Sequence, residues 1–193
     1  RSSGLWADLV VESPLEYFSV GVEAFGIVLD DPMEAYGDMR GERIPVGIDL
    51  GWATDSYSEQ SDDSELWAFH YEVTTRYEIP CRVSGEIQIG ENKSQVDGWG
   101  QRDHSWAERD WWDKGWTWFS GRFNDGSRFH AVSVEGHHLG IGYHSSPEGL
   151  IGENRVVSEP LIGHEGIPTS GHVKLGDTII EFEPVAWAPV LLT

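Results

Sequence analysis

Hydrophobic and polar positions alternate with a period of two along most of the chain. Tyr71, Val73, Thr75, Tyr77 and Ile79 alternate with Glu72, Thr74, Arg76 and Glu78. Val83, Gly85, Ile87 and Ile89 alternate with Ser84, Glu86 and Gln88. Such alternation predicts half-buried strands. Gly90-Glu91-Asn92-Lys93 reads as a turn into a return strand near residues 94–100. A strand over 116–123, a hairpin turn at Asn124-Asp125-Gly126 and a returning strand over 128–135 follow. Leu139, Ile141 and Tyr143 alternate with Gly140, Gly142 and His144. Further strands are predicted near 150–158, 171–175 and 178–186, and earlier over 5–12, 17–29 and 44–53. The one helical signal is at 31–40, where Asp30 or Asp31 can cap and Pro32 suits the first turn. Strands recurring about every 8–12 residues imply an all-β antiparallel meander closing into a barrel or sandwich. The acidic stretch 56–65 reads as a solvated loop and the best internal boundary.

Composition narrows the partners. The 193 residues carry 33 Asp or Glu against 13 Lys or Arg, a formal net charge of −20. That surplus repels phosphate backbones and anionic lipid, so neither a nucleic-acid partner nor a polybasic membrane anchor is expected. No apolar run reaches the roughly 18–20 residues of a spanning helix. With 39% hydrophobic and 24% charged residues the chain is globular. Cys81, the single cysteine, excludes an internal disulfide or a multi-Cys zinc site, and leaves the compartment open with the cytoplasm slightly favoured. The opening Arg1-Ser2-Ser3-Gly4, without Met, runs straight into strand-like sequence and reads as a processed chain or the tail of a longer one.

Candidate chemistry concentrates in residues 98–118. Six of the ten tryptophans fall there, interleaved with Arg102, Asp103, His104, Glu108, Arg109, Asp110 and Asp113. A buried indole N–H needs an acceptor and a buried ion needs a counter-ion. The segment is therefore expected to form a rigid polar-aromatic corner between two strands, with Arg102/Asp103 and Arg109/Asp110 as ion pairs.

The run Gly98-Trp99-Gly100-Gln101-Arg102-Asp103-His104-Ser105-Trp106-Ala107-Glu108-Arg109-Asp110-Trp111 resembles a Gly-x-Gly-x-Arg-Asp-His-Ser-Trp-Gly-x-Arg-Asp-Trp signature. That signature belongs to bacterial proteins related to carotenoid 1,2-hydratases (hydroxyneurosporene synthases). The wider lipocalin-like group, which includes AttH-like proteins and some fungal Diels–Alderases, usually has two β-barrels. The resemblance implies that residues 1–57 belong to or close a first barrel and that 58–193 form a C-terminal lipocalin-like barrel. It also implies that His104 and Trp106 match the hydratases' His-x-Trp. Two positions depart from the pattern: Ala107 replaces the signature glycine, and the strand Arg128–Glu135 lacks the hydratases' Tyr-x-Asp.

Hydration of an isoprenoid double bond protonates carbon, generates a tertiary cation and lets water capture it. A His oriented by a carboxylate can supply the proton. His104 is the candidate acid/base. Asp103 is its neighbour but would face away on a strand, so Asp110 or Asp113 is an equally good partner. Trp106, Trp111 and Trp112 offer π faces to a cation, each contributing about 0.5–2 kcal/mol when desolvated. Trp116 and Trp118, which share a strand face, are candidate ligand-lining residues together with His130 and His144. His144 continues the face of Gly140 and Gly142, where missing side chains suggest a bend or a close approach by a ligand or ring. The spacing of His130, His137, His138 and His144 fits no zinc template, so no metal is expected.

Three roles follow. The first is a cofactor-independent enzyme that protonates, hydrates, dehydrates or isomerises an isoprenoid-, steroid- or polyketide-like molecule. The second is a non-catalytic lipocalin-like binder of such a hydrophobic molecule. The third is a structural subunit packed on another barrel domain or chain. The enzymatic role requires the aromatic segment to border an apolar chamber with His104 directed inward.

Overall fold

A computed structural model describes residues 4–37, 39–55, 68–71, 74–106, 115–134, 140–164 and 166–188, with only the backbone of 68–71 and 74–76. Thirteen strands are described: β1 Trp6–Ser13, β2 Tyr17–Ile27, β3 Arg43–Thr54, β4 Ala68–Tyr71, β5 Thr74–Ile89, β6 Asn92–Trp106, β7 Trp116–Arg122, β8 Arg128–Val134, β9 Gly140–Ser146, β10 Gly149–Glu153, β11 Val156–Ile162, β12 Pro168–Leu175 and β13 Thr178–Phe182. The fold is all-β. The expected helix at 31–40 is a 3-10 turn, Pro32–Tyr36, with Pro in its first turn and Asp31 accepting from the Met33 amide at 2.9 Å. The strands form three antiparallel sheets: β1-β2-β3-β5-β4 with β6 on β5, β10-β9-β8-β7, and β11-β12-β13. No pairing among the described residues closes a sheet on itself.

The chain divides into two compact units. Unit 1 takes residues 1–55, 80–100 and 186–193, and unit 2 takes 56–79 and 101–185. The division is discontinuous because β5 and β6 each contribute one end to each unit.

Unit 1 shows how alternation becomes a two-faced sheet. Residues directly opposite in a ladder project to the same side. The rows Ala7–Val22–Ile48–Ile87, Leu9–Val20–Leu50–Gly85 and Val11–Phe18–Trp52–Val83 are all apolar or glycine. The rows between them, Trp6–Glu23–Gly47–Gln88 and Asp8–Gly21–Asp49–Glu86, carry the charge. Lys93 bonds Glu86 at 2.7 Å, and Arg82 pairs with Asp97 and lies over the Trp99 ring at 4.4 Å.

Unit 2 contains a strand that is dry on both sides. Every residue of β8 from Arg128 to Ser133 is buried. One side of β7-β8-β9 presents Phe129 and Ala131, which pack with Val156, Val173, Leu175 and Ile180 of the third sheet. Phe119 and Phe182 extend that layer, ring to ring at 5.3 Å. Gly140 and Gly142 lie on the same side, and here the close approach expected from sequence is by aliphatic chain. A Cβ on Gly142 would sit 2.8 Å from Leu175 Cδ1, and one on Gly140 2.7 Å from Val156 Cβ. The stretch 150–158, read from sequence as one strand, is split: β10 pairs with β9, and β11 with β12 in the other sheet.

The β7–β8 hairpin turn is set by Asp125. Its Oδ1 accepts from the Ser127 amide at 2.8 Å and from Ser127 Oγ at 2.6 Å, and these bonds hold the carboxyl below its ordinary range. A depressed folded-state value adds stability above the unfolded-state pKa, and that contribution disappears as pH falls through the folded value. Asp125→Ala is expected to lower the urea midpoint at pH 7 and to leave it unchanged near about pH 2. Equal losses at both pH values would assign the effect to something other than the carboxylate.

Candidate functional site

The aromatic segment begins as strand, not as a corner. β6 runs on through Arg102-Asp103-His104-Ser105-Trp106. Alternation therefore puts Arg102, His104 and Trp106 on one side and Gln101, Asp103 and Ser105 on the other. On the first side Tyr77 of β5 meets His104, with its hydroxyl 2.9 Å from Nδ1 and the rings edge to face at 5.2 Å. Trp106 stacks edgewise on the same imidazole at 5.0 Å, and the Arg102 guanidinium lies 5.3 Å from the Tyr77 ring centre. The result is a π-rich strip beside a fixed cation. It lies at the surface: His104 is exposed and Trp106 is 53% exposed.

The other side of the same ribbon is buried and polar. Glu78, adjacent to Tyr77 and hence opposite in orientation, is fully buried, as are His130 and Tyr143. Glu78 Oε1 lies 3.3 Å from His130 Nε2 and accepts from Trp118 Nε1 at 3.1 Å. Gln101 Nε2 donates to the Tyr143 hydroxyl at 2.9 Å. His130 faces Tyr143 directly across the β8–β9 ladder, with rings 5.6 Å apart, and Trp118 lies 5.3 Å from the same imidazole.

His130 Nδ1 is 3.1 Å from the Phe119 carbonyl, which can only accept, so Nδ1 carries hydrogen and donates. Nε2 faces the Glu78 carboxyl at 3.3 Å, so both ring nitrogens are turned to groups of the buried core.

The sequence-expected site residues therefore separate. His104 and Trp106 come together on the exposed strip, where the predicted inward imidazole is not found. Asp103 is exposed on the opposite side of β6 and does not orient His104. Trp118 and His130 come together in the buried cluster. Trp116 shares the side of Trp118 on β7 and is 42% exposed. His144 is half-buried on the side of β9 away from Tyr143, 6.5 Å from the Phe123 ring. Asp110, Trp111 and Trp112 lie outside the described residues. Glu78, Gln101 and Tyr143 were not singled out from sequence; Glu78 appeared as an ordinary polar position of an alternating strand.

Three open grooves are described. Two lie on unit 1: one of about 610 Å³ beside Trp6, Phe25 and Pro45, and one of about 360 Å³ beside Trp6, Gly47 and Glu86. The third, about 580 Å³, runs along Glu159, His172 and Glu181 of unit 2. None of the three is lined by a residue of 98–118. Among the described residues no three His, Cys, Asp or Glu side chains converge as metal ligands.

Residues 4–193 match the family described as Domain of unknown function (DUF7064). No curated protein and no solved structure matches the chain.

Proposed function

We propose, from the premise that the chain belongs to the DUF7064 family, that it is a non-catalytic binder of a hydrophobic isoprenoid-, steroid- or polyketide-like molecule. The lipocalin-like barrel belongs to the same proposal. Its principal support is the exposed strip of Tyr77, His104 and Trp106. A tryptophan that is 53% exposed on a regular strand contributes little to a core, yet its orientation is set by the imidazole beside it. The buried Glu78–His130–Trp118 cluster on the reverse side anchors the ribbon, so the strip is preorganised and its ordering cost is met before a ligand arrives. Arg102 beside Tyr77 suits a ligand with a polar or anionic end and an apolar body.

Farnesol and a fluorescent sterol serve as probes, with binding read by quenching and energy transfer. Trp106→Ala is expected to raise Kd about tenfold, equivalent to about 1.4 kcal/mol, while leaving thermal stability within about 0.5 kcal/mol. Unchanged Kd for both probes in Trp106→Ala and His104→Ala would reject the strip as the binding surface.

The carboxylate-oriented imidazole of an enzymatic role is not offered by His130 with Glu78, because the two nitrogens of that ring already face the Phe119 carbonyl and the Glu78 carboxyl and the ring is fully buried.

A further inference from the structure

The two grooves of unit 1 share one row of the ladder, because Trp6, Glu23, Gly47 and Gln88 line both. They are therefore two halves of one trough, on the charged side of the sheet formed by β1, β2, β3 and β5. Each half alone has the size of a small-ligand site, about 300–1,000 Å³. From Phe25 to Gly21 the trough runs about 14 Å along β2.

Glycines make the hollow. A Cβ on Gly21 would stand 2.9 Å from both Cη2 and Cζ3 of Trp6, so the indole occupies the space of a side chain there. The ring is thereby laid over β2, yet it stays 53% exposed. Gly47, directly opposite Glu23, leaves the adjoining floor without a side chain. An exposed indole offers a π face whose negative charge attracts polarised C–H groups.

Acceptors stand around that floor, two of them oriented by other bonds. Glu86 accepts from Lys93 at 2.7 Å and from Gln95 at 3.1 Å. Gln88 Nε2 donates to the Gly90 carbonyl at 2.8 Å, which leaves Oε1 to accept. Glu23 and Asp49 add exposed carboxylates. At the other end the Arg43 guanidinium, 5.6 Å over the Phe25 ring, adds donors.

We infer that this trough binds a neutral oligosaccharide, with one pyranose ring stacked on Trp6 and its hydroxyls donating to Asp49, Glu86 and Gln88. A pyranose has an apolar C–H face and a polar rim, which an indole wall beside carboxylates matches. Hydrogen bonds to ionised acceptors are about twice as strong as neutral ones. Hydroxyls both donate and accept, so one ligand suits the carboxylates at one end and Arg43 at the other. A compact cation would need the carboxylates gathered at one point, but they are spread along the rim, and among the described residues no three acidic or imidazole groups converge. The formal net charge of −20 repels uronic or sulfated sugars. The site shares no residue with the Tyr77–His104–Trp106 strip, so the two proposals stand or fall separately.

The test is isothermal titration calorimetry of the 193-residue chain with maltotetraose, cellotetraose, mannotetraose and chitotetraose. At least one is expected to bind with Kd below about 1 mM. Trp6→Ala is expected to raise that Kd about tenfold or more, and Trp6→Phe, which keeps a π face, to hold it within about threefold. Trp106→Ala is expected to leave it unchanged. Far-UV circular dichroism checks folding. If Trp6→Ala loses its strand signal, Asp49→Ala, at an exposed position of the trough, takes its place with a similar expected loss. Spermidine is titrated alongside as an organic cation. No binding of any of the four sugars at about 10 mM, a Kd indifferent to Trp6→Ala, or spermidine held through Trp6 in place of every sugar would each overturn the inference.

Discussion

Glu78→Ala is expected to lower the unfolding free energy by about 3–5 kcal/mol, the cost of removing one partner from a buried ion pair. The size follows from what the carboxylate does. It accepts from the Trp118 indole and faces His130 Nε2, and Glu78 and His130 are fully buried, where water does not replace the lost bonds. Alanine leaves the indole N–H without that acceptor and the imidazole without the carboxyl it faces. Glu78→Gln keeps the shape and can donate to Nε2, so about half the loss or less is expected. The double replacement Glu78→Met with His130→Leu is expected to recover most of the stability, because well-packed apolar side chains often equal a buried pair. Urea titration followed by tryptophan emission measures all of these. A loss below about 1 kcal/mol for Glu78→Ala would show that the pair contributes nothing beyond packing.

Gly142→Val is expected to cost about 3 kcal/mol or more, with a fall of about 2–4 °C in Tm for each kcal/mol. A Cβ at this position would lie 2.2 Å from the His130 carbonyl oxygen, 3.0 Å from Ala131 Cα and 2.8 Å from Leu175 Cδ1. The first two are backbone atoms of the neighbouring strand, with Gly142 directly opposite Ala131. They cannot move aside without parting the ladder, so the clash is not relieved by a rotamer change. Gly98→Ala is the control. Nothing lies within 4 Å of its added methyl, and its effect is expected within about 0.5 kcal/mol. Similar losses at both glycines would point to a general intolerance of strand glycines to substitution, not to the packing of two sheets.

The strands were legible because alternation is a local property. Ala7 to Val11, Phe18 to Ala24 and Val46 to Trp52 each repeat apolar and other positions at the period of a strand, and each became one. Asp31-Pro32 marked the start of the short turn of helix because capping uses neighbouring residues. Asp125 marked the β7–β8 hairpin for the same reason. The errors share a different cause. A corner was expected within residues 98–118, of which 107–114 lie outside the described residues. Yet Arg102, His104 and Trp106 simply occupy one side of a continuing strand. Residues 150–158 look like one run of strand formers, and only the pairing of β10 and β11 with different neighbours divides them.

Glu78 marks the boundary between the two kinds of information. An alternating run tells which residues share a side, and the chain's own order was sufficient to separate Tyr77 from Glu78 and His104 from Asp103. It does not tell which side meets water, because that depends on what packs there from elsewhere. The charged side of β5 at Glu78 is covered by Trp118 and His130, some 40 and 52 residues further along the chain. The apolar side at Leu9, where a core would be expected, remains open. Side-to-side grouping is set by bond geometry within a few residues, whereas burial is set by contacts that close long loops and exist only once the sheets have packed.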